Sequence, residues 1–146
     1  MKKIICFFVP ILLMLCLNSC SFDNFVVASL PKYESKDFYT SDGWQDFTDY
    51  AKYTYDDISE KRVSKSRYFK KITTDADIDM LLNYIDDFEG WVETVGRELG
   101  ENYDFDKTVI CQDDYFYIKS GSTLNNYDVY YFDLDKSILY FFHNNI

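Results

Sequence analysis

The clearest hydrophobic pattern in the chain predicts a long amphipathic helix. In the stretch TTDADIDMLLNYIDDFEGWVETV, apolar residues recur at the i, i+3, i+4, i+7 spacing that places them on one helical face; these are Ile78, Leu81, Leu82, Ile85, Phe88 and Val92. Thr73 or Thr74 can cap the start of this helix, and Gly96 or Gly100 can end it.

A different pattern, with a period of two residues, follows near the C-terminus and predicts β-strands. The segments KTVIC, YFYIK, YDVYYFD and SILYFFH are rich in β-branched and aromatic residues and are separated by turn-forming stretches. They predict two hairpins and therefore a four-stranded antiparallel meander. The segment EKRVSKSRYFKKI, from Glu60 to Ile72, predicts one further strand.

A shorter helix is predicted over Asp42–Tyr53, because Ser41 can cap it and Trp44, Phe47 and Ala51 recur at helical spacing. The predicted order is helix, strand, helix and then four strands. We therefore expect residues 41–146 to form one α+β domain, in which an antiparallel sheet of one strand plus the meander packs on the long helix.

The N-terminus carries an apolar run preceded by Lys2 and Lys3. The run from Ile4 to Leu17 has no charge and is 14 residues long, which is typical of a signal-peptide core and short of the roughly 20 residues that span a bilayer. The next residues, LNSC, resemble the bacterial lipobox, with Leu17 at its apolar site, Ser19 at its small site and Cys20 at the modified position. The resemblance implies a signal peptide over residues 1–19, acyl chains on Cys20 and a membrane-anchored protein outside the cytoplasm.

Residues 20–40 have no sustained hydrophobic period and contain Pro31. We expect them to comprise the lipidated Cys20 and a tether that lifts the domain off the membrane, with one short strand at Phe25–Ala28.

The net charge limits which partners the protein can bind, and the cysteine content limits which disulfides it can form. The net charge is −10, and removal of Lys2 and Lys3 with the signal peptide makes it −12. This balance argues against nucleic-acid partners and against electrostatic binding to anionic lipid. Cys6 and Cys16 would leave with the signal peptide and Cys20 would be acylated. Only Cys111 would then remain, and no intramolecular disulfide could form.

No conventional catalytic set, metal site or cofactor motif is predicted. Asp75, Asp77, Asp79 and Asp86 fall at calcium-loop positions, but Met80 stands where such a loop needs glycine, and the same residues fit a helix start better. Cys111 and His143 are the one nucleophile and base pair. The neighbours of Cys111 are apolar and acidic, which favours a neutral, unreactive thiol.

Two features are candidates for partner binding. The segment Lys61–Lys71 gathers six basic residues and is either an edge strand protected by charge or a contact for an anionic partner through Lys65 and Arg67. The predicted meander carries many tyrosines, and one of its faces is either an aromatic platform for a protein or sugar ring or is covered by the first helix and the tether. Its candidate residues are Tyr115, Tyr117, Tyr130 and Tyr131.

These observations predict a lipid-anchored cell-envelope protein that binds a protein or a glycan without catalysis or cofactor. Two alternatives remain open. One is a small cell-envelope hydrolase that uses carboxylates or Cys111 and His143, and the other is an immunity or inhibitor lipoprotein.

Overall fold

A six-stranded antiparallel sheet forms the centre of the molecule. The computed structural model describes residues 25–41, 47–94, 97–121 and 125–145. In it the strands lie in the order β1-β2-β6-β5-β4-β3. Their bounds are β1 Ser35–Thr40, β2 Phe47–Thr54, β3 Lys70–Lys71, β4 Tyr115–Ser120, β5 Asn126–Asp133 and β6 Ile138–Asn145.

Three α-helices accompany the sheet in the described ranges: α1 Glu60–Val63, α2 Asp75–Val92 and α3 Arg97–Asn102. Single turns of 3₁₀ helix form at Val27–Ser29 and Lys107–Val109. The chain is therefore an α+β protein. Within the described residues, no helix combines the length and the apolar character that crossing a bilayer requires.

Helix α2 begins where the sequence predicts, because Thr74 and Asp77 cap it reciprocally. The Thr74 hydroxyl accepts a hydrogen bond from the Asp77 backbone N–H, and the Asp77 carboxylate accepts one from the Thr74 backbone N–H, each at 3.2 Å. The helix ends at Val92; Gly96 lies outside the described residues, and Gly100 falls within α3.

The sheet is covered on both faces, so the core has two halves. On the helix face, residues such as Tyr50, Val129 and Phe142 belong to one buried cluster with Leu81, Ile85 and Phe88 of α2. On the opposite face, Tyr130, Phe132 and Leu139 form a second cluster with buried residues from the N-terminal segment and from residues 55–69: Val26, Val27, Leu30, Tyr55, Ile58, Val63 and Phe69. Double coverage explains why strand β5 is buried from Tyr127 to Asp133.

The prediction of a tether over residues 20–40 is wrong for the part that the structure describes. Val26, Val27 and Leu30 are buried, and β1 pairs with β2 along its whole length. Phe25–Ala28 is not a strand, since a turn and the 3₁₀ helix occupy it. The apolar side chains here cover the opposite face of the sheet, and no local hydrophobic period reports that role.

The helix predicted over Asp42–Tyr53 is also wrong, since Phe47–Thr54 is strand β2; residues 42–46 lie outside the described residues. Tyr50 enters the core of the helix face, whereas Ala51 and Tyr53 enter the core of the opposite face. A strand that buries both faces need not alternate, and its apolar residues here also happen to fit a helical period.

Two other predicted strands have a different structure. The segment from Glu60 to Ile72 forms α1, a turn and only then the two-residue β3. KTVIC is not a strand, because Asp106 caps a 3₁₀ turn there by accepting a 2.9 Å hydrogen bond from the Thr108 N–H. The consecutive C-terminal strands are therefore the three strands β4, β5 and β6.

Candidate functional site

The tyrosines predicted to form a binding platform are mostly core residues. Tyr130 and Tyr131 are fully buried and Tyr115 is 4% exposed. The Tyr131 hydroxyl lies 2.6 Å from the buried Asp114 carboxylate and 3.0 Å from the Val109 carbonyl oxygen. The assignment of Tyr115, Tyr130 and Tyr131 to a partner surface is therefore wrong, because their rings cannot reach a partner.

Tyr117 differs from the other three in being half-buried at the edge of the sheet. Its ring contacts that of Tyr68, with centroids 5.4 Å apart. The Arg67 guanidinium lies 4.9 Å from the centroid of the Tyr68 ring and donates a 2.7 Å hydrogen bond to the Tyr68 hydroxyl. This corner brings together Arg67 and Tyr117, two of the residues that the sequence singles out.

An open groove runs along the edge of β4 beside this corner. It has a volume of about 310 Å³, and it is lined by Lys70 and by six apolar or aromatic side chains from β4, α2 and the turn before β3. These six are Tyr68, Met80, Tyr84, Phe116, Tyr117 and Ile118. We call this surface the β4 groove.

The backbone of β4 is open beside the groove, because β3 pairs only with Tyr115 and Phe116. The Asp114 carbonyl accepts a 2.8 Å hydrogen bond from the Ile72 N–H, and the Gly121 N–H donates to Asn126 of β5. Because hydrogen-bonding direction alternates along a strand, Ile118 and Ser120 direct their backbone N–H and C=O groups away from β5. Within the described part of the chain, no strand lies beside these two residues.

A second candidate feature is a row of polar side chains across five adjacent strands on the opposite face. The register pairs Thr40 with Asp49, Asp49 with His143, His143 with Asp128, and Asp128 with Lys119. His143 Nδ1 lies 2.6 Å from Asp128 Oδ1, and Lys119 Nζ lies 3.1 Å from Asp128 Oδ2. We call these five residues the polar row.

Two atoms of the polar row lack hydrogen-bond partners among the described residues. They are His143 Nε2 and Asp49 Oδ1, and both are buried. The ring of His143 is enclosed by Phe47 and Phe141, whose centroids lie 5.0 and 6.1 Å from its own. An imidazole covered in this way does not present Nε2 to a bulky substrate.

The two carboxyl groups of the polar row have pKa values shifted in opposite directions. Burial raises the pKa of Asp49 and outweighs the hydrogen bond from Thr40 and the attraction of His143. Burial also opposes ionisation of Asp128, but its hydrogen bonds with His143 and Lys119 prevail and lower its pKa. The fold therefore stabilises the charged form of Asp128 and destabilises the charged form of Asp49.

Cys111 and His143 are not brought together. Cys111 is exposed and donates a 3.1 Å hydrogen bond to Asp114 Oδ2, beside the turn that joins β5 to β6. His143 lies near the other end of β6, five residues beyond Ile138, which corresponds to about 17 Å along a strand. The hydrogen bond that the thiol donates to Asp114, with burial and nearby carboxylates, raises the pKa of Cys111 to about 11, so the thiol is unsuited to nucleophilic attack.

Of the acidic residues in the calcium hypothesis, Asp75, Asp77 and Asp79 lie in the first turns of helix α2, and Asp86 lies in its middle. Asp77 accepts hydrogen bonds from the backbone of Thr73 and Thr74 and pairs with Lys70 Nζ at 2.5 Å. Among the described residues, no three histidine, cysteine, aspartate or glutamate side chains are grouped so as to hold a metal ion.

The basic segment, Lys61–Lys71, spans α1, the turn that follows it and β3. Lys71 pairs with Glu60 and Asp113, and Lys70 pairs with Asp77. Lys61, Arg62, Lys65 and Arg67 are all exposed. The interpretation of the whole segment as an edge strand is wrong, because only Lys70–Lys71 form a strand at the sheet edge, β3, and the residues before them form α1 and a turn. Its role as a contact for an anionic partner stays a prediction.

Comparisons with known proteins do not assign the chain to a family: no family model matches it, and neither a curated protein nor a solved structure is significantly similar to it.

Proposed function

We propose that this protein is a lipid-anchored, non-catalytic binding module outside the cytoplasm, and that it captures an extended segment of a partner protein at the open edge of β4. The anchor follows from the lipobox-like residues Leu17–Cys20 after an uncharged run of signal-peptide length. Acyl chains on one cysteine would hold the protein stably, since each buried CH₂ contributes about 0.8 kcal/mol.

The open edge of β4 is the observation that carries the binding proposal. Ile118 and Ser120 offer two outward pairs of backbone N–H and C=O groups, and the β4 groove lies directly beside them. A polypeptide that adds a strand to a sheet edge gains affinity from main-chain hydrogen bonds and specificity from pockets for alternate side chains. This match favours a protein segment over a glycan as the ligand.

A lysine lies at each end of this edge. Lys70 lies at one end, with its side chain 64% exposed and its Nζ 5.5 Å from the Phe116 ring centroid. Lys119 lies at the other end, with its side chain 66% exposed. Each ammonium already pairs with a carboxylate, Lys70 with Asp77 at 2.5 Å and Lys119 with Asp128 at 3.1 Å, so these lysines do not by themselves select acidic residues in the captured segment.

A hydrolase is less well supported by the geometry. Cys111 and His143 lie apart, and the imidazole that faces Asp128 has its other nitrogen buried. An immunity or inhibitor lipoprotein would use the same anchor and the same edge, and would differ only in the identity of the captured protein.

Replacement of Cys20 tests the anchor. We expect Cys20→Ser to leave the protein unprocessed or to release it from the membrane, whereas Cys111→Ser should remain processed and membrane-bound. A Cys20→Ser protein of mature size that still fractionates with the membrane would refute the lipid anchor.

Site-specific crosslinking in cells tests the binding edge. A photo-reactive amino acid in place of Met80, in the β4 groove, should capture one dominant protein, whereas the same residue in place of the distant, exposed Asp135 should not. Equal capture from the two positions, or capture of no protein from either, would count against the edge as a protein-binding site.

Proline at Ser120 provides a second test with a matched control. Because the Ser120 N–H faces away from β5, Ser120→Pro removes no bond of the β4–β5 ladder but blocks an incoming strand. We expect Ser120→Pro to abolish capture at Met80 and Ser120→Ala to preserve it. Unchanged capture by a folded Ser120→Pro protein would mean that no strand is added at this edge.

A further inference from the structure

We infer that the basic segment around α1 is a membrane-facing surface that contacts anionic phospholipid headgroups of the bilayer in which Cys20 is anchored. This inference rests on the proposed lipid anchor. It assigns an orientation to the anchored domain and a role to the four exposed cations Lys61, Arg62, Lys65 and Arg67, which we call the basic cluster.

The fold holds the basic cluster beside the N-terminal segment. Ser66, which lies between Lys65 and Arg67, is 2.6 Å from Ser29 through their hydroxyl oxygens. Arg62 lines the same cleft as Pro31 and Lys32. The cluster, distant from the N-terminal segment in sequence, therefore adjoins the end of the chain that leads to Cys20.

The reach of the chain then limits how far this surface can lie from the membrane. Phe25 follows Cys20 by five residues, so their Cα atoms are at most about 18 Å apart. Phe25 is 82% exposed, although the next residue, Val26, is buried in the core. An exposed aromatic ring this close to the anchor can insert at the membrane interface, where such rings are favourable.

Charge on this surface opposes the charge of the rest of the protein. Within the described residues, Lys61, Arg62 and Lys65 make no ion pair, while Glu60 is already paired with Lys71. The other acidic residues at this cleft are Asp56 and Asp57. Together with Lys32, the basic cluster outnumbers them. The net charge of −10 argues against electrostatic binding of anionic lipid by the protein surface as a whole. The face that carries the basic cluster is locally positive.

The test uses a chemical anchor, so that it does not depend on lipidation in cells. Residues 20–146 are made with Cys111→Ser, and Cys20 is coupled to a maleimide-bearing phospholipid; the described structure starts at Phe25, so removal of residues 1–19 takes none of it away. The protein is bound to vesicles of phosphatidylcholine alone or of phosphatidylcholine and phosphatidylglycerol in equal parts. Lysine acetylation is then followed by mass spectrometry.

We expect Lys61 and Lys65 to be acetylated at least about threefold more slowly on the anionic vesicles, because headgroup contact shields them and each cation near such a surface is attracted. Lys36 and Lys136, exposed elsewhere on the same molecule, should show no such change, and high salt should remove the difference. Equal slowing at all four lysines, or at none, would overturn the inference.

Charge reversal gives a second, independent readout. In Lys61→Glu/Lys65→Glu, Lys32 should lose its protection on anionic vesicles, whereas Lys36→Glu/Lys136→Glu, with the same change in net charge, should retain it. Equal protection of Lys32 in both variants would overturn the membrane-facing role. A negative result with these vesicles would refute the membrane-facing surface and would not refute the lipid anchor. A negative result with Cys20→Ser in cells would refute the lipid anchor and would not change the acetylation rates measured on vesicles.

Discussion

His143 Nδ1 lies 2.6 Å from Asp128 Oδ1, at the centre of a row of five side chains from five adjacent strands. Asp128 also pairs with Lys119, and its own side chain is only 11% exposed. A largely buried carboxylate with two charge-assisted contacts stabilises the sheet register that brings β6 beside β5.

Loss of the charge at Asp128 should therefore destabilise the fold. Because a hydrogen bond to a charged group contributes about 1.5–3 kcal/mol, we expect Asp128→Asn to lower the free energy of unfolding by about 2 kcal/mol at neutral pH. The pKa of Asp128 is lowered in the folded state. Its contribution is thus present above the unfolded value and is lost as pH falls through the folded value. Urea denaturation from pH 3 to pH 7 should show the two proteins converging in acid; a constant difference would contradict this assignment.

Asp49→Asn should have the opposite effect. Burial raises the pKa of Asp49, so its ionisation opposes folding as pH rises through the folded value. We expect Asp49→Asn to stabilise the protein at pH 7 by a few tenths of a kcal/mol, a small gain because Asp49 keeps part of its solvent contact. The gain should shrink as pH falls through the raised folded value and should be absent below the ordinary value of 3.8. Destabilisation at neutral pH would mean that the Asp49 charge supports the fold.

The polar row illustrates what the sequence can and cannot predict here. His143 stands out as the sole histidine, but its partner is Asp128 and not Cys111. The pairing follows from the register of β5 and β6, and a shift by one residue would turn every side chain to the other face. Nothing local in the sequence specifies that register.

Elements whose burial follows a local pattern are predictable from the sequence, and elements buried on both faces are not. Helix α2 has one buried stripe and its own cap at Thr74, so its period and its start are both readable. Strand β2 is buried on both faces and carries no clean alternation. The N-terminal segment owes its order to packing on the sheet, which a local pattern does not report.

Tyrosine substitutions distinguish core residues from surface residues among the predicted site. Tyr131→Phe removes a hydroxyl that hydrogen-bonds the buried Asp114 carboxylate, and we expect a loss of about 2 kcal/mol in the free energy of unfolding. Tyr117→Phe, at the half-exposed edge, should change stability by less than about 0.5 kcal/mol. Chemical denaturation measures both, and equal effects would contradict the burial difference.

The cap of helix α2 predicts a further stability effect. Thr74→Ala removes the hydroxyl that accepts from the Asp77 N–H, and the loss should be about 1 kcal/mol. Thr73→Ala is the matched control, because the Thr73 hydroxyl contacts Asp77 only at 3.4 Å; it should cost distinctly less. If urea denaturation shows that Thr73→Ala lowers the free energy of unfolding more than Thr74→Ala does, then Thr74 is not the capping residue.

Cys111 should react slowly with alkylating reagents despite its exposure. The hydrogen bond to Asp114, together with burial and nearby carboxylates, raises the pKa of its thiol to about 11 from an ordinary value of 9.0. At pH 8 the thiolate fraction then falls about a hundredfold, and the greater nucleophilicity of the more basic thiolate restores about a factor of ten.

In residues 20–146 carrying Cys20→Ser, where Cys111 is the single thiol, iodoacetamide should therefore react about tenfold faster in 8 M urea than in native buffer. Asp135→Asn, which removes a weaker carboxylate influence than Asp114, should raise the native rate modestly. Equal rates in native buffer and urea would mean that Asp114 does not hold the thiol neutral, and would reopen Cys111 as a reactive group.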